Sequence, residues 1–564
     1  MPLLDFKGKS IIYTHHLSVP FKALKVDEKK SMPPKNSKGK KQEPSLDDNL
    51  IINGDNLHAL KSLLPRYAGK IKCIYIDPPY NTGNEGWKYN DNVNDPLLTE
   101  WLKNEVGVDD LERHDKWLCM MWPRLQLLKE LLSEDGVIFV SIGSDEIHNL
   151  INMLNEIFQT EKPLATFIWK KRSGVNDSKN FISEDHDYII CYSKTEKFVL
   201  RGIKKDFHNY DNPDNDPRGP WTKGDLTCNK TKEERPNLFY TIKDPKTGNR
   251  YKCNPDRVWG TDKKGMEKLI SQNKVIFPLK KGGAPGYKRH LSEVRSDRKP
   301  ISTLIEQVNK NSSIDELNEP TIMQTHMNNQ ATEEISSIFG RKIFDYPKPK
   351  KLIEDLIFQS TNQDDTILDS FAGSGTTAHA VLALNKEDGG NRKFILVECE
   401  QYANTITAER VRRVIKGVPQ AKDENLKNGL GGSFTYCTLG EEISKENLLQ
   451  RKSLPSYDTL AKYVFYTATG QSLRSLTQRD DFYIAKLNDG TAFFVIYQPK
   501  SKFLRSNDSA LNLDRKKAVQ KIMKRRGCSK AVVFATACFC SQKELSKANI
   551  SFSRLPFAIY KIVR

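Results

Sequence analysis

The chain has 564 residues, which suggests more than one domain without fixing how many. Its formal net charge of +18 favours a polyanionic partner, but does not by itself separate DNA, RNA and acidic membrane. No apolar stretch approaches bilayer-spanning length, the N-terminus lacks a signal-peptide layout, and the 10 cysteines include no Cys-x-x-Cys, so a reduced cytoplasmic protein without a metal site is expected.

Residues 1–24 are a short mixed segment, and its His15-His16 pair reads as surface or packing residues rather than ligands. Residues 25–44 are rich in Lys, Pro and Ser, the composition of a mobile basic linker, either touching phosphates or simply solvated. From residue 46 to residue 194 strands and helices alternate. Leu50-Ile51-Ile52 leads into Asn53-Gly54-Asp55-Asn56, where Asp-Asn also suits a plain helix start. Ile71-Lys72-Cys73-Ile74-Tyr75-Ile76 reads as a buried strand, and Asp77-Pro78-Pro79-Tyr80 stands at its carboxyl end, where open α/β sheets place their chemistry. The polar stretch 81–94, with Trp87 and Tyr89, reads as a loop beside that tetrapeptide. Trp117, Leu118, Met121, Leu125, Leu128 and Leu132 recur at helical spacing and read as core. Gly136 breaks that helix, residues 137–142 read as the next strand, and Ile147, Leu150, Ile151, Leu154 and Phe158 mark another helix. Glu184-Asp185-His186-Asp187-Tyr188 then opens a strand.

Between residues 195 and 340 the alternation fails, and cations such as Lys223, Arg235, Arg257, Lys280, Lys281 and Arg289 interleave with Tyr210, Trp221, Tyr240, Trp259 and Tyr287. Such a mixture fits a nucleic-acid-reading surface, or an ordinary solvated face with scattered core aromatics. Phe344-Asp345-Tyr346-Pro347-Lys348-Pro349 precedes a helix with Leu352, Ile353, Leu356 and Ile357 on one face. Residues 366–370 read as a strand ending at Asp369-Ser370, followed by Phe371-Ala372-Gly373-Ser374-Gly375-Thr376-Thr377 and a helix. Strand, Gly-rich turn and helix together let backbone approach a ligand. A dinucleotide site would want a third glycine, and Ala378 stands there instead, a form that some such sites tolerate. Residues 393–397 are the next strand, ending at Glu398. Residues 429–440 read as a Gly-containing link. Residues 441–564 read as a small separate domain with a hairpin around Asn488-Asp489-Gly490 and a strand over 531–538.

Asp77-Pro78-Pro79-Tyr80 resembles the catalytic motif of amino-methylating DNA methyltransferases, in the Asp form typical of adenine-N6 enzymes, and the Gly-rich loop resembles their S-adenosyl-L-methionine loop. The residue types suit the chemistry. An exocyclic amine is a weak nucleophile because its lone pair is delocalised into the ring. Asp77 and the Pro78 carbonyl would accept its two N–H bonds, Pro78 and Pro79 would stiffen the loop, and Tyr80 would stack on a base taken out of the duplex. The resemblance further implies a cofactor site built from Asp55, Lys348, Asp369, Phe371, Ala372, Gly373, Gly375, Thr376 and Glu398, with Asp55 near the adenine, Lys348 facing the cofactor carboxylate and Glu398 on the ribose. His186 and Tyr188 would help to line the base pocket, or serve only in packing.

Motif order, Asp-Pro-Pro-Tyr before the Gly-rich loop, is that of the circularly permuted β-type, and the chain is most similar to modification subunits of Type III restriction-modification systems. The implied fold is α/β, a class I methyltransferase with a Rossmann-like doubly wound sheet. The implied division is an N-terminal segment and linker over 1–45, catalytic part over 46–194, target-recognition domain over 195–340, cofactor-binding part over 341–426 and C-terminal domain over 441–564. The implied partners are double-stranded DNA, a second copy in a homodimer and a nuclease-helicase (Res) subunit. This sequence has no Gly-x-x-x-x-Gly-Lys-Ser/Thr loop, so ATP-driven cleavage is expected from another chain. Cytosine-N4 methylation, where Ser usually replaces the motif Asp, RNA methylation and a purely DNA-guiding subunit are the competing readings.

Overall fold

The computed structural model describes residues 3–34, 39–83, 112–174, 181–278, 283–307, 323–442, 454–473, 481–504 and 506–555. Trp87, Tyr89 and most of the loop over 81–94, together with Lys280 and Lys281, lie outside the described residues. Two compact units emerge, one made of Met1–Arg201 with Ser302–Arg564 and the other of Gly202–Ile301.

The first unit is built on an eleven-stranded sheet. In chain order its strands are β1 (Lys22–Val26), β2 (Leu50–Asn53), β3 (Ile71–Ile76), β4 (Leu132–Ile142), β5 (Ala165–Lys170), β6 (His186–Ser193), β7 (Leu304–Gln307), β8 (Met323–Thr325), β9 (Thr366–Asp369), β10 (Lys393–Glu398) and β11 (Thr435–Glu442). Their order across the sheet is β1-β11-β2-β10-β9-β3-β4-β6-β5-β7-β8. The six strands from β11 to β4 run parallel, while β6 is antiparallel to both β4 and β5.

The apolar runs of β2, β3, β9 and β10 are buried almost throughout, as parallel strands covered on both faces require. Alternate side chains divide between those faces. Leu50, Ile52, Ile74, Ile76, Leu368, Ile395 and Val397 join one core with the helices Asn56–Tyr67, Arg113–Leu131 and Ile147–Phe158. A second helix set packs together from Asn328–Phe339, Lys350–Ser360, Thr376–Asp388 and Thr407–Lys416. The sheet is therefore doubly wound, and β9 and β3, about 290 residues apart in sequence, become neighbours through the pairs Ile367 with Cys73 and Leu368 with Ile74.

Three local expectations change. Part of the stretch read as a link over 429–440 is β11, because its alternating Thr435, Tyr436 and Cys437 find an open parallel ladder on β2. Lys25 and Val26, read as linker, belong to β1, which pairs antiparallel with β11 and extends the sheet edge. The irregular stretch does not run to residue 340 as a separate body. Leu304–Gln307 and Met323–Thr325 add to the large sheet beside β5, and the second unit is confined to Gly202–Ile301. Within the first unit, residues beyond 456 also carry their own four-stranded sheet of Tyr483–Lys486, Thr491–Val495, Lys530–Ala535 and Ile550–Arg554 over a core of their own.

The second unit folds around a three-stranded sheet, Trp221–Asp225, Val275–Ile276 and Gly286–His290, with a small core of Leu226, Ile242, Val258, Trp259 and Met266. Its aromatic residues are mainly structural. The Trp259 indole donates to the Tyr240 carbonyl at 2.7 Å, and the Tyr240 hydroxyl to the Thr261 carbonyl at 2.7 Å. Lys223, Lys230, Lys232, Arg235, Arg250, Lys252, Arg257 and Arg289 are exposed. A buried charge cluster ties the unit together, with Asp216 accepting from Arg218 (2.6 and 2.8 Å) and from Lys288 (3.1 Å).

Candidate active site at the ends of two adjacent strands

Asp77-Pro78-Pro79-Tyr80 leaves the carboxyl end of β3, and the Gly-rich loop leaves the carboxyl end of the neighbouring β9. The tetrapeptide is held from remote parts of the chain. Lys348 Nζ donates to both Asp77 carboxylate oxygens, at 2.6 and 2.7 Å. The same ammonium lies 4.9 Å from the centre of the Tyr80 ring. Tyr80 donates to Asp187 Oδ2 at 3.4 Å, and Asp187 in turn pairs with Lys171 at 2.7 Å. The Trp117 indole donates to the Pro79 carbonyl at 2.8 Å, while among the described residues nothing donates to the Pro78 carbonyl. Asn81, in the left-handed region at φ 58°, is buried and donates to Glu146 and to the Arg113 carbonyl. Burial pushes the Asp77 carboxyl up, and Lys348 pulls it back only partly. Burial, with Asp77 and Asp187 nearby, holds the Tyr80 hydroxyl neutral.

The Gly-rich loop is held partly by itself and partly by the elements that follow it in the chain. Asp369 accepts from the Phe371 N–H at 3.0 Å and from the Thr377 hydroxyl at 2.6 Å. Its carboxyl is pushed up to about 7, chiefly by burial. Gly373 and Gly375 have φ of 49° and 79°. A Cβ on Gly373 would lie 3.3 Å from the Phe344 ring, and one on Gly375 would lie 3.0 Å from the Thr407 carbonyl. Glu398, buried at the end of β10, accepts from Gly373 N–H at 2.7 Å and from Glu400 N–H at 3.0 Å. Beneath the loop, the fully buried Arg410 donates to the hydroxyls of Ser374 (3.0 Å) and Thr376 (2.8 Å).

These contacts refine the expected roles. Thr376 turns its hydroxyl to Arg410. Asp369 organises the turn, and Ala372 is buried, its N–H donating to the Val397 carbonyl at 3.1 Å. Phe371 is half-buried against the core. Asp55 caps the helix Asn56–Tyr67 by accepting from His58 N–H at 3.1 Å and lies 3.4 Å from Arg124. Lys348 meets Asp77. In the strand that begins at His186, it is Asp187 that reaches Tyr80, while His186 and Tyr188 pack edge-to-face at 4.9 Å.

Sequence reasoning missed Asp187, Lys171, Gly143, Glu146 and Arg410. It took Trp117 for core alone, although its indole also pins the motif loop. Gly143 presses on the motif tyrosine, since a Cβ there would come 3.0 Å from Tyr80 Cδ2. A charged residue inside an apolar helical stripe is a usable signal, and Arg410 between Ala408 and Val411 is one. Among the described residues, no group of three His, Cys, Asp or Glu could hold a metal, and no helix is long and apolar enough to cross a membrane.

A family model described as DNA methylase matches residues 71–409, a span that contains both loops. The chain belongs to the DNA methylase family. Methyltransferases of this family draw the methyl group from S-adenosyl-L-methionine. Among its relatives, the Type III restriction-modification enzyme StyLTI Mod subunit of Salmonella typhimurium is 34% identical over 375 residues, 64% of this chain and 53% of that protein. The EcoPI Mod subunit of Escherichia phage P1 is 28% identical over 78% of this chain and 72% of its own length. The Type II methyltransferase M.KpnI of Klebsiella pneumoniae is 32% identical over 62% of this chain and 80% of its own length. The chain therefore spans about half the length of the first of these relatives.

Proposed function

We propose that this chain methylates N6 of adenine in double-stranded DNA at a specific sequence, as the modification subunit of a Type III restriction-modification system. The observation that carries the reading is the placement of Asp77-Pro78-Pro79-Tyr80 and the Gly-rich loop at the carboxyl ends of adjacent parallel strands. The left-handed glycines let the loop backbone turn tightly against Phe344 and Thr407 at the strand end, an arrangement that supports S-adenosyl-L-methionine held by Phe371, Gly373 and Gly375, with Glu398 beside its ribose. When bound there, the cofactor supplies an electrophilic methyl group. Asp77 and the Pro78 carbonyl accept the two N–H bonds of the amine and localise its lone pair, while Tyr80 stacks on the extrahelical base. No covalent enzyme intermediate is needed.

Motif order along the chain supports the permuted β-type form. The exposed cations of Gly202–Ile301 support target recognition by that unit. Similarity to Mod subunits of restriction-modification enzymes supports a DNA-cleaving partner subunit, and a homodimer is part of the same proposal. Similarity to M.KpnI over most of that enzyme's length favours a second reading, methylation without any nuclease partner.

Long-read sequencing of DNA from cells expressing the chain, beside an Asp77→Ala control, tests the reaction. N6-methyladenine in one recurring motif, absent from the control, is the expected result. N4-methylcytosine in that motif would reassign the base, and unmodified DNA would overturn the reading.

A further inference from the structure

The target amine needs two things at this site, an acceptor carboxylate and a flat ring beside it. Lys348 already has both. Its ammonium donates to the two Asp77 oxygens at 2.6 and 2.7 Å while lying 4.9 Å from the Tyr80 ring centre. The Lys348 side chain is 12% exposed and that of Asp77 25%, so the pair is partly shielded and not a fully solvated surface contact. The residue reaches the site from the segment before the helix Lys350–Ser360, 271 positions away from Asp77.

We propose that Lys348 is a gate on base capture, competing with the target amine for Asp77, so that the adenine is seated only when this ion pair opens. An ammonium and an exocyclic amine are both N–H donors to a carboxylate, and the cation has the stronger claim. Lys348 occupies both Asp77 oxygens from beside the Tyr80 ring, where the base would stack, so a base seated against that ring and donating to Asp77 displaces the ammonium. Apparent affinity for the extrahelical base is then reduced by the fraction of time the seat is taken. The inference rests on the proposed methyl transfer to adenine.

The test uses the full chain and a duplex carrying its methylation motif, with 2-aminopurine as the base next to the target adenine. That probe brightens when its neighbour leaves the stack. Measurements without cofactor at alkaline pH favour the ionised Asp77 against its burial and the nearby Asp187, Asp369, Tyr75 and Tyr80. K348M is expected to raise the fraction of extrahelical adenine about tenfold, as for a seat otherwise taken about nine-tenths of the time. K348R, which keeps charge and donors, is expected to match the wild type. A K348M signal no higher than wild type, or K348R rising with it, overturns the gate. If K348M does not melt cooperatively, K348Q is read in its place against the same criteria. Unmethylated DNA from cells expressing the wild type would fail the functional reading itself. Methylated DNA with unchanged flipping in the variant would fail the gate alone.

Discussion

The two loops of the site are equal neighbours in space and opposites in how they are held. The Gly-rich loop draws its side-chain bonds from within 36 residues along the chain, with Asn56 on the Ser370 carbonyl the exception. Asp369 ties Phe371 and Thr377 within eight residues, and Glu398 lies one strand away. The Asp-Pro-Pro-Tyr loop is held by Trp117, Glu146 through Asn81, Asp187 and Lys348, from four separate segments. A locally tied loop sets its own shape. A remotely tied loop acquires its shape only when the whole sheet has closed.

That contrast can be broken at either end. The largest effect is expected from Gly373→Asp, which combines a left-handed φ, contact with Phe344 and a second carboxylate beside Glu398. Calorimetric affinity for S-adenosyl-L-methionine should fall at least about a hundredfold, the equivalent of about 2.7 kcal/mol. Undiminished affinity would show that the loop is not the cofactor seat. Next comes Trp117→Phe, which keeps the ring and deletes the indole donor to the Pro79 carbonyl. Methylation rate should drop about tenfold for a bond worth about 1 kcal/mol and a displaced acceptor pair, with cofactor affinity unchanged. Equal loss of both would mean that the two loops are not separately supported.

Gly143→Ala places a methyl group 3.0 Å from Tyr80 Cδ2 and should raise KM for DNA about threefold through a shifted ring. A kcat effect without a KM effect would argue against stacking by Tyr80. The smallest effect concerns pH. Asp369, raised to about 7 by burial, favours the folded state most when protonated. Its contribution is full below the unfolded carboxylate value of about 4 and is lost as pH rises through about 7. Asp369→Asn should therefore flatten part of the fall in melting temperature across that interval, and an unaltered slope would place the titration elsewhere.

The same contrast explains what was readable. Parallel strands announce themselves as continuous apolar runs, so β3, β9 and β10 were evident, and with them the tetrapeptide and the glycines at their ends. Strand β11 was not evident, because a mixed run such as Thr435-Tyr436-Cys437-Thr438 becomes a strand only by finding the free edge of β2. Lys348 reads from the sequence as a cofactor residue, and its pairing with Asp77 is fixed only by the tertiary fold. Asp187 is not distinguishable from His186 and Tyr188 in the sequence because strand alternation lets either set face the site until the register is known.

By itself, then, the sequence determined the fold class, the two loops and the types of side chain at the site, since those depend on local periodicity and on residues whose chemistry is specific. Tertiary structure decided which loop stands beside which, which carboxylate faces Tyr80, and where the second compact unit begins and ends. Those follow from pairing between strands hundreds of residues apart, and no local pattern encodes a pairing whose free energy is gained only when both edges meet.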